Sequence, residues 1–241
     1  MKSFAFAAAA ALSIAAPSIS QAATFNMTNS SFGLGSKDGT LHTLGGPFNN
    51  AASNFGQFTL TGTTVPGGAA VSIKTFCVDL NNYLVIPGLF DLASVTSVFS
   101  AATALNMTKL LANVTPTDAD TSAAMQLAMW ELAFDTSATK DVQSGGTQGQ
   151  FYVTAGNSSA ARALANTYLG SLAGWSVPTG GTAYLLVNSA DPRNTNGSNQ
   201  TQIFYVLSAV PESATWGMMI IGFGIVGASM RRRTKVTYRL A

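Results

Sequence analysis

Apolar and polar positions alternate in short runs from Thr24 to Leu92, and that period of two predicts strands. Phe55-Gly56-Gln57-Phe58-Thr59-Leu60-Thr61 is the clearest run, and Val65-Pro66-Gly67-Gly68 is a turn. Val71–Leu80 reads as the next strand, closed by Asn81-Asn82, while Gly33, Gly35, Gly45, Gly46 and Pro47 mark loops nearer the start. From about Ser94 to Ala173 the pattern becomes helical. Ser94–Asn113 is a candidate helix despite its β-branched residues. Thr117–Phe134 is better marked: Pro116 and Thr117 open it, Asp118 and Asp120 sit in the first turn where the helix dipole favours negative charge, and Asp135-Thr136-Ser137 ends it. Gln143–Gly149 is a loop, and Ser158–Leu172 is a third helix stopped by Gly174. Thr182–Val187 and Gln202–Leu207 return to strand, with Asp191–Gly197 as the loop of a hairpin. No internal repeat is visible. Strands, an inserted helical section and strands again predict an α+β domain, an antiparallel β-sandwich or barrel carrying a helical cap.

One helix stands apart. Between Ala123 and Phe134 only Gln126 and Glu131 are strongly polar, and a helix apolar nearly all round is buried. Glu131 is expected to pair with a basic residue or to reach the helix surface. Gln126 falls in an apolar setting one turn before Trp130, where an amide costs free energy unless it is hydrogen-bonded. The single cysteine, Cys77, lies on a predicted core strand. Strand alternation puts Phe76 and Val78 on one face and Cys77 and Asp79 on the other. Asp79 is expected to bond backbone near Asn81-Asn82. A buried thiol that meets a buried carboxamide can attack its carbon and expel ammonia, leaving a Cys–Gln thioester that survives only where water is excluded. The alternatives are plain ones: a cysteine packed as a small hydrophobe, and a glutamine capping a backbone group.

Charge and composition narrow the rest. The formal net charge is +2, but Ala23–Val210 holds six basic and nine acidic residues, a net of −3. The basic excess sits in Lys2 and in Arg231, Arg232, Arg233, Lys235 and Arg239. No basic patch marks the body for nucleic acid. One cysteine forms no internal disulfide, and one cysteine with one histidine builds no ordinary zinc site. No metal or cofactor is therefore expected. A Cys77–His42 hydrolase is a remote alternative, because a hydrolytic nucleophile needs a base and a group that orients it.

Both ends read as addresses. Met1-Lys2-Ser3, the apolar run Phe4–Ala16, Pro17 and small residues at Ser20 and Ala22 describe a secretory signal peptide over residues 1–22, cut between Ala22 and Ala23. Residues 23–209 form the exported domain and 210–241 a tail. In that tail Trp216–Met230 carries no charge, and fifteen helical residues span about 22 Å against a hydrocarbon core of about 30 Å, a marginal transmembrane helix. Trp216 suits one interface and the basic segment 231–241 the cytoplasmic side. Pro211-Glu212, Trp216-Gly217-Met218-Met219, Gly222-Phe223-Gly224 and Arg231-Arg232-Arg233 together resemble a PEP-CTERM sorting signal, with Ser213 where a second proline is usual and eight residues beyond the arginines. The resemblance implies recognition by an exosortase-type membrane protease after passage through the secretion translocon. It also implies a transient inner-membrane anchor with the body outside, and release to the cell surface or the extracellular matrix, often with exopolysaccharide.

The body resembles bacterial thioester domains. Their pattern is an aromatic-Cys-apolar-Asp strand followed by an apolar-Gln-x-Ala-apolar-Trp helix. Here these are Phe76-Cys77-Val78-Asp79 and Met125-Gln126-Leu127-Ala128-Met129-Trp130, within an order of elements that covers roughly residues 55–207. The resemblance implies that Cys77 and Gln126 form the bond, with Trp130 and Asp79 packed nearby. It implies a non-enzymatic surface adhesin that captures a nucleophile, typically an amine-bearing surface, as a covalent amide. A passive structural protein of an exopolysaccharide or biofilm matrix is the rival reading.

Overall fold

Strand β1 (Thr24–Phe32) buries Phe25 and Met27 and leaves the intervening polar residues partly exposed. The same alternation organises β4 (Phe58–Val65), whose Leu60 is fully buried, and β6 (Gly88–Ser94), which turns Phe90 and Leu92 inward. With β5 (Ala70–Cys77), β8 (Gly181–Asn188) and β9 (Gln202–Leu207) they close an antiparallel barrel in the order β1-β4-β5-β9-β8-β6. Closure gives each of these six strands a neighbour on both sides, with β5 meeting β9 only at Phe76 and Cys77. Phe25, Met27, Leu60, Phe90, Leu92, Leu186 and Phe204 make one core cluster from five of them. The β1–β4 ladder slips between Met27 and Asn29. Gly62 faces that slip, and a Cβ there would stand 2.0 Å from the Asn26 carbonyl oxygen, so only glycine allows the strands to approach.

A second sheet of three strands has the order β3-β2-β7, from β2 (Lys37–Thr43), β3 (Ala51–Phe55) and β7 (Phe151–Thr154). Helices α1 (Ala101–Asn113), α2 (Ala119–Phe134) and α3 (Ser159–Ser171) accompany it. Ser100 caps α1 by accepting from the Thr103 N–H, and Asp118 with Thr121 forms a capping box on α2. Every residue of α2 from Ser122 to Leu132 is buried, and a second, larger core cluster surrounds it. The layer meets the barrel where the Gln57 N–H donates to Ser122 Oγ at 2.6 Å.

The structure, a computed structural model, describes residues 23–43, 48–137, 139–143, 150–190 and 198–207 together with Phe223. The described residues from Ala23 to Leu207 belong to one compact unit. The antiparallel architecture is the expected one, and it is a barrel rather than a sandwich. Four expected elements differ in detail. Phe55–Thr61 is two strands broken at Gly56-Gln57, because Gly56 approaches α2 and a Cβ there would lie 3.0 Å from Ser122 Oγ. The Val71–Leu80 strand stops at Cys77, where the chain turns to bond its own side chains. Ser94–Asn113 is a 3-10 turn, Val95–Ser97, followed by α1. The helical section is not purely helical, since β7 within it returns to pair with β2. The signal-peptide residues 1–22, the loop Asp191–Gly197 and the tail residues Pro211, Glu212, Trp216, Arg231, Arg232 and Arg233 lie outside the described residues. Among the described residues no helix is long and apolar enough to cross a membrane. Ala23 is described, and its carbonyl accepts from the Leu92 N–H.

Candidate functional site

Cys77 is the last residue of β5, paired with Gln202 of β9 and 1% exposed. Beyond it the Val78 N–H still reaches the Thr201 carbonyl, but the chain then folds back. The Cys77 thiol donates to the Asp79 carbonyl at 3.0 Å, and the Asp79 N–H returns to the sulfur at 3.4 Å. Burial pushes the thiol up to about 12, while the Asp79 N–H and the Trp130 side chain pull the other way. It is a neutral thiol at physiological pH.

Gln126 comes to this point from α2. Its Oε1 accepts from the Cys77 N–H at 2.9 Å and its Nε2 donates to the Cys77 carbonyl at 2.7 Å. The side chain completes the backbone pairing of the cysteine at the end of β5. The two residues, 49 apart in sequence, are brought together in a fully buried site. The same contact satisfies the backbone-capping reading of Gln126 and places a carboxamide at a thiol-bearing residue.

Asp79 lies beside the pair but turns its carboxylate away. Oδ1 accepts from the Asn81 N–H at 2.7 Å and Oδ2 from Asn82 Nδ2 at 2.8 Å, the local turn expected of it. Its carbonyl, which holds the thiol, is itself held by Gln200 Nε2 at 3.1 Å; that amide also donates to the Asn82 carbonyl. Gln200 Oε1 accepts from Gln202 Nε2 at 2.9 Å, and Gln202 Oε1 accepts from the Thr75 hydroxyl at 3.0 Å. Asn199 clamps Val85 through both its N–H and its carbonyl, at 2.9 and 2.8 Å. Sequence reasoning missed Asn199, Gln200 and Gln202. The available signal was three amide side chains at the entrance to a predicted strand, buried polar groups in search of partners.

Trp130 sits one turn beyond Gln126 and is 4% exposed. Its ring is held edge-on by Phe55 and Phe151, with centroids 6.0 and 5.9 Å away. Among the described residues its buried indole nitrogen has no hydrogen-bond partner of ordinary geometry, though it lies near enough to the thiol to favour the ionised form. A cleft of about 180 Å³ reaches Cys77, Gln126, Trp130 and Gln200, with Phe48 and Tyr83 among its outer walls. Those two rings meet at a tilt of 57° with centroids 4.8 Å apart, and Tyr83 is largely exposed.

His42 does not line this cleft. It lies on β2, stacked on Tyr152 at 4.4 Å, with Nε2 2.8 Å from Thr154 Oγ1. Glu131 corrects its expectation. It does not reach the surface, and among the described residues it forms no ion pair; it is fully buried, with Oε1 accepting from the Asp141 N–H at 3.0 Å and Oε2 without a hydrogen-bond partner there. Burial, and then the neighbouring Asp135 carboxylate, push it up to about 8. Among the described residues no group of three or more His, Cys, Asp and Glu side chains could hold a metal ion.

No protein-family model and no curated protein matches the sequence. Among solved structures, the thioester domain of the Staphylococcus aureus TIE protein is similar to it: 11% identical, over 78% of this chain and 84% of that one, with a TM-score of 0.41.

Proposed function

We propose that this chain is a covalent surface adhesin whose body carries an internal Cys77–Gln126 thioester. The observation that carries the reading is the double hydrogen bond between the Gln126 carboxamide and the Cys77 backbone in a buried site. The Cys77 N–H points at Gln126 Oε1, the oxygen that becomes negative when sulfur adds to the amide carbon, so it acts as a preformed oxyanion donor. In the first step the S–Cδ bond forms, the Cδ–Nε2 bond breaks, and the thiol proton leaves on nitrogen as ammonia. In the second, an amine adds to Cδ, the S–Cδ bond breaks, and the amine's proton restores the Cys77 thiol. The product is an amide between Gln126 and the target. Burial protects the thioester from water, and a cleft of about 180 Å³ admits a slender nucleophile.

Export completes the proposal. The signal peptide and the PEP-CTERM-like tail support passage through the translocon, sorting by an exosortase-type protease, and display at the cell surface or in the matrix. An amine-bearing surface or an exopolysaccharide is the partner this reading expects.

Intact mass tests the bond. The purified wild-type chain is expected to be lighter than its sequence by one ammonia, each species being compared with the mass calculated for its own termini. Cys77→Ala is expected to show no deficit. A wild-type mass equal to its sequence, with Cys77 alkylated freely under native conditions, sinks the thioester and leaves a passive matrix protein.

A further inference from the structure

Buried polar groups in folded proteins are hydrogen-bonded with few exceptions, and an exception asks for a reason. Trp130 Nε1 is one: buried, and without a hydrogen-bond partner among the described residues. The other buried side-chain donors of the cleft have acceptors. Gln126 Nε2 donates to the Cys77 carbonyl, Gln200 Nε2 to the Asp79 and Asn82 carbonyls, and the thiol to the Asp79 carbonyl. The indole is also fixed. Phe55 and Phe151 meet it at interplanar angles of 74° and 65°, so the N–H direction is set by packing and does not need to be found during a reaction.

We propose that the Trp130 indole N–H is a catalytic donor, which hydrogen-bonds the Cys77 sulfur as that sulfur departs during aminolysis of the thioester. The inference rests on the thioester reading above. Only an interaction stronger in the transition state than in the ground state accelerates a step. A buried donor with no partner among the described residues, lining the same cleft as an atom that gains negative charge when its bond to carbon breaks, meets that condition. The Cys77 N–H serves the carbonyl oxygen, and the indole serves the sulfur. The balance is simple: the amine nitrogen bonds Cδ, the S–Cδ electron pair stays on sulfur, and the proton lost by the nitrogen ends on sulfur. The indole keeps its own proton throughout.

The test compares the full wild-type chain with Trp130→Phe and with a chain carrying β-(3-benzothienyl)alanine at position 130, which keeps the bicyclic shape and lacks the N–H. Two quantities are read: the rate at which methylamine is incorporated at Gln126, and the pH dependence of Cys77 alkylation once the thiol is free. Both replacements are expected to keep the ammonia deficit and to incorporate methylamine about tenfold more slowly or worse, as removal of one preorganised donor does elsewhere. Both are expected to lower the thiolate fraction and so slow Cys77 alkylation at every pH at which the chain is folded, which loss of packing alone does not do in the shape-matched analogue. If Trp130→Phe does not fold, the analogue decides. Unchanged methylamine rates in the analogue, with the wild-type deficit present, overturn this inference and leave the thioester standing. A wild-type chain with no deficit and no methylamine incorporation overturns both.

Discussion

Gln126 commits both halves of its carboxamide to the backbone of Cys77. Truncating it leaves a buried N–H and a buried C=O unpaired, each worth about 1–3 kcal/mol. Removing the cysteine sulfur deletes one small buried group, worth about 1 kcal/mol. Gln126→Ala is therefore expected to lose about 3 kcal/mol or more in urea unfolding, clearly more than Cys77→Ala. Both variants lose any cross-link equally, so it cancels from the difference between them; an equal or reversed order refutes the role of the hydrogen bonds. These two residues were legible because each is the wrong type for its surroundings: an amide in an apolar helix, and a lone thiol in a core strand. Asn199 and Gln200 were not legible. They sit in a polar stretch that reads as loop, and their partners lie more than 110 residues upstream.

At the scale of elements, α2 was visible in the sequence because no face of it is polar, and it is buried throughout its middle. What its pattern did not reveal is the fate of Glu131 at its C-terminal end. There the carboxyl faces Asp135 on the same helix end and the Asp141 N–H from the following segment. Lys140 donates to the Asp135 carbonyl, and Asn166 of α3 donates to Asp141 Oδ1. The folded chain holds the Glu131 proton up to about pH 8, whereas an unfolded glutamate releases it near pH ~4.3. The folded state thus binds more protons between those values, so stability is full below the lower one, falls as pH rises and levels off above the higher one. Thermal melts from pH 4 to 9 are expected to show that decline in the wild type and a flatter profile in Glu131→Gln. Identical profiles would remove Glu131 as the cause. Strand ends were the least legible elements. The break at Gly56-Gln57 and the stop at Cys77 both follow from tertiary bonds, to Ser122 and to Asp79, that no local period encodes.

At the scale of the described domain, barrel and helical layer have separate cores, and Cys77 stands where they meet: its strand belongs to the barrel, its side chain to the cluster around α2. The strap from Asp79 to Val85 passes over this junction, pinned by Asn199 and Gln200. Asn199→Ala is expected to raise hydrogen exchange in residues 79–85 by about tenfold or more while β1 and β4 keep their protection, because local openings draw on few bonds. Exchange that rises equally everywhere would mean that Asn199 supports the whole fold instead. The strand beside Cys77 has a mechanical meaning as well. β9 begins at Gln202, against Cys77, and runs away from it to Leu207, hydrogen-bonded along β8 from Leu186 to Gly181. Under the proposed thioester chemistry, a target joined to Gln126 and a pull applied beyond Leu207 would stretch the domain along the axis of β9. The β8–β9 hydrogen bonds then share the tension side by side, as rungs sheared together, and none is peeled open ahead of the next.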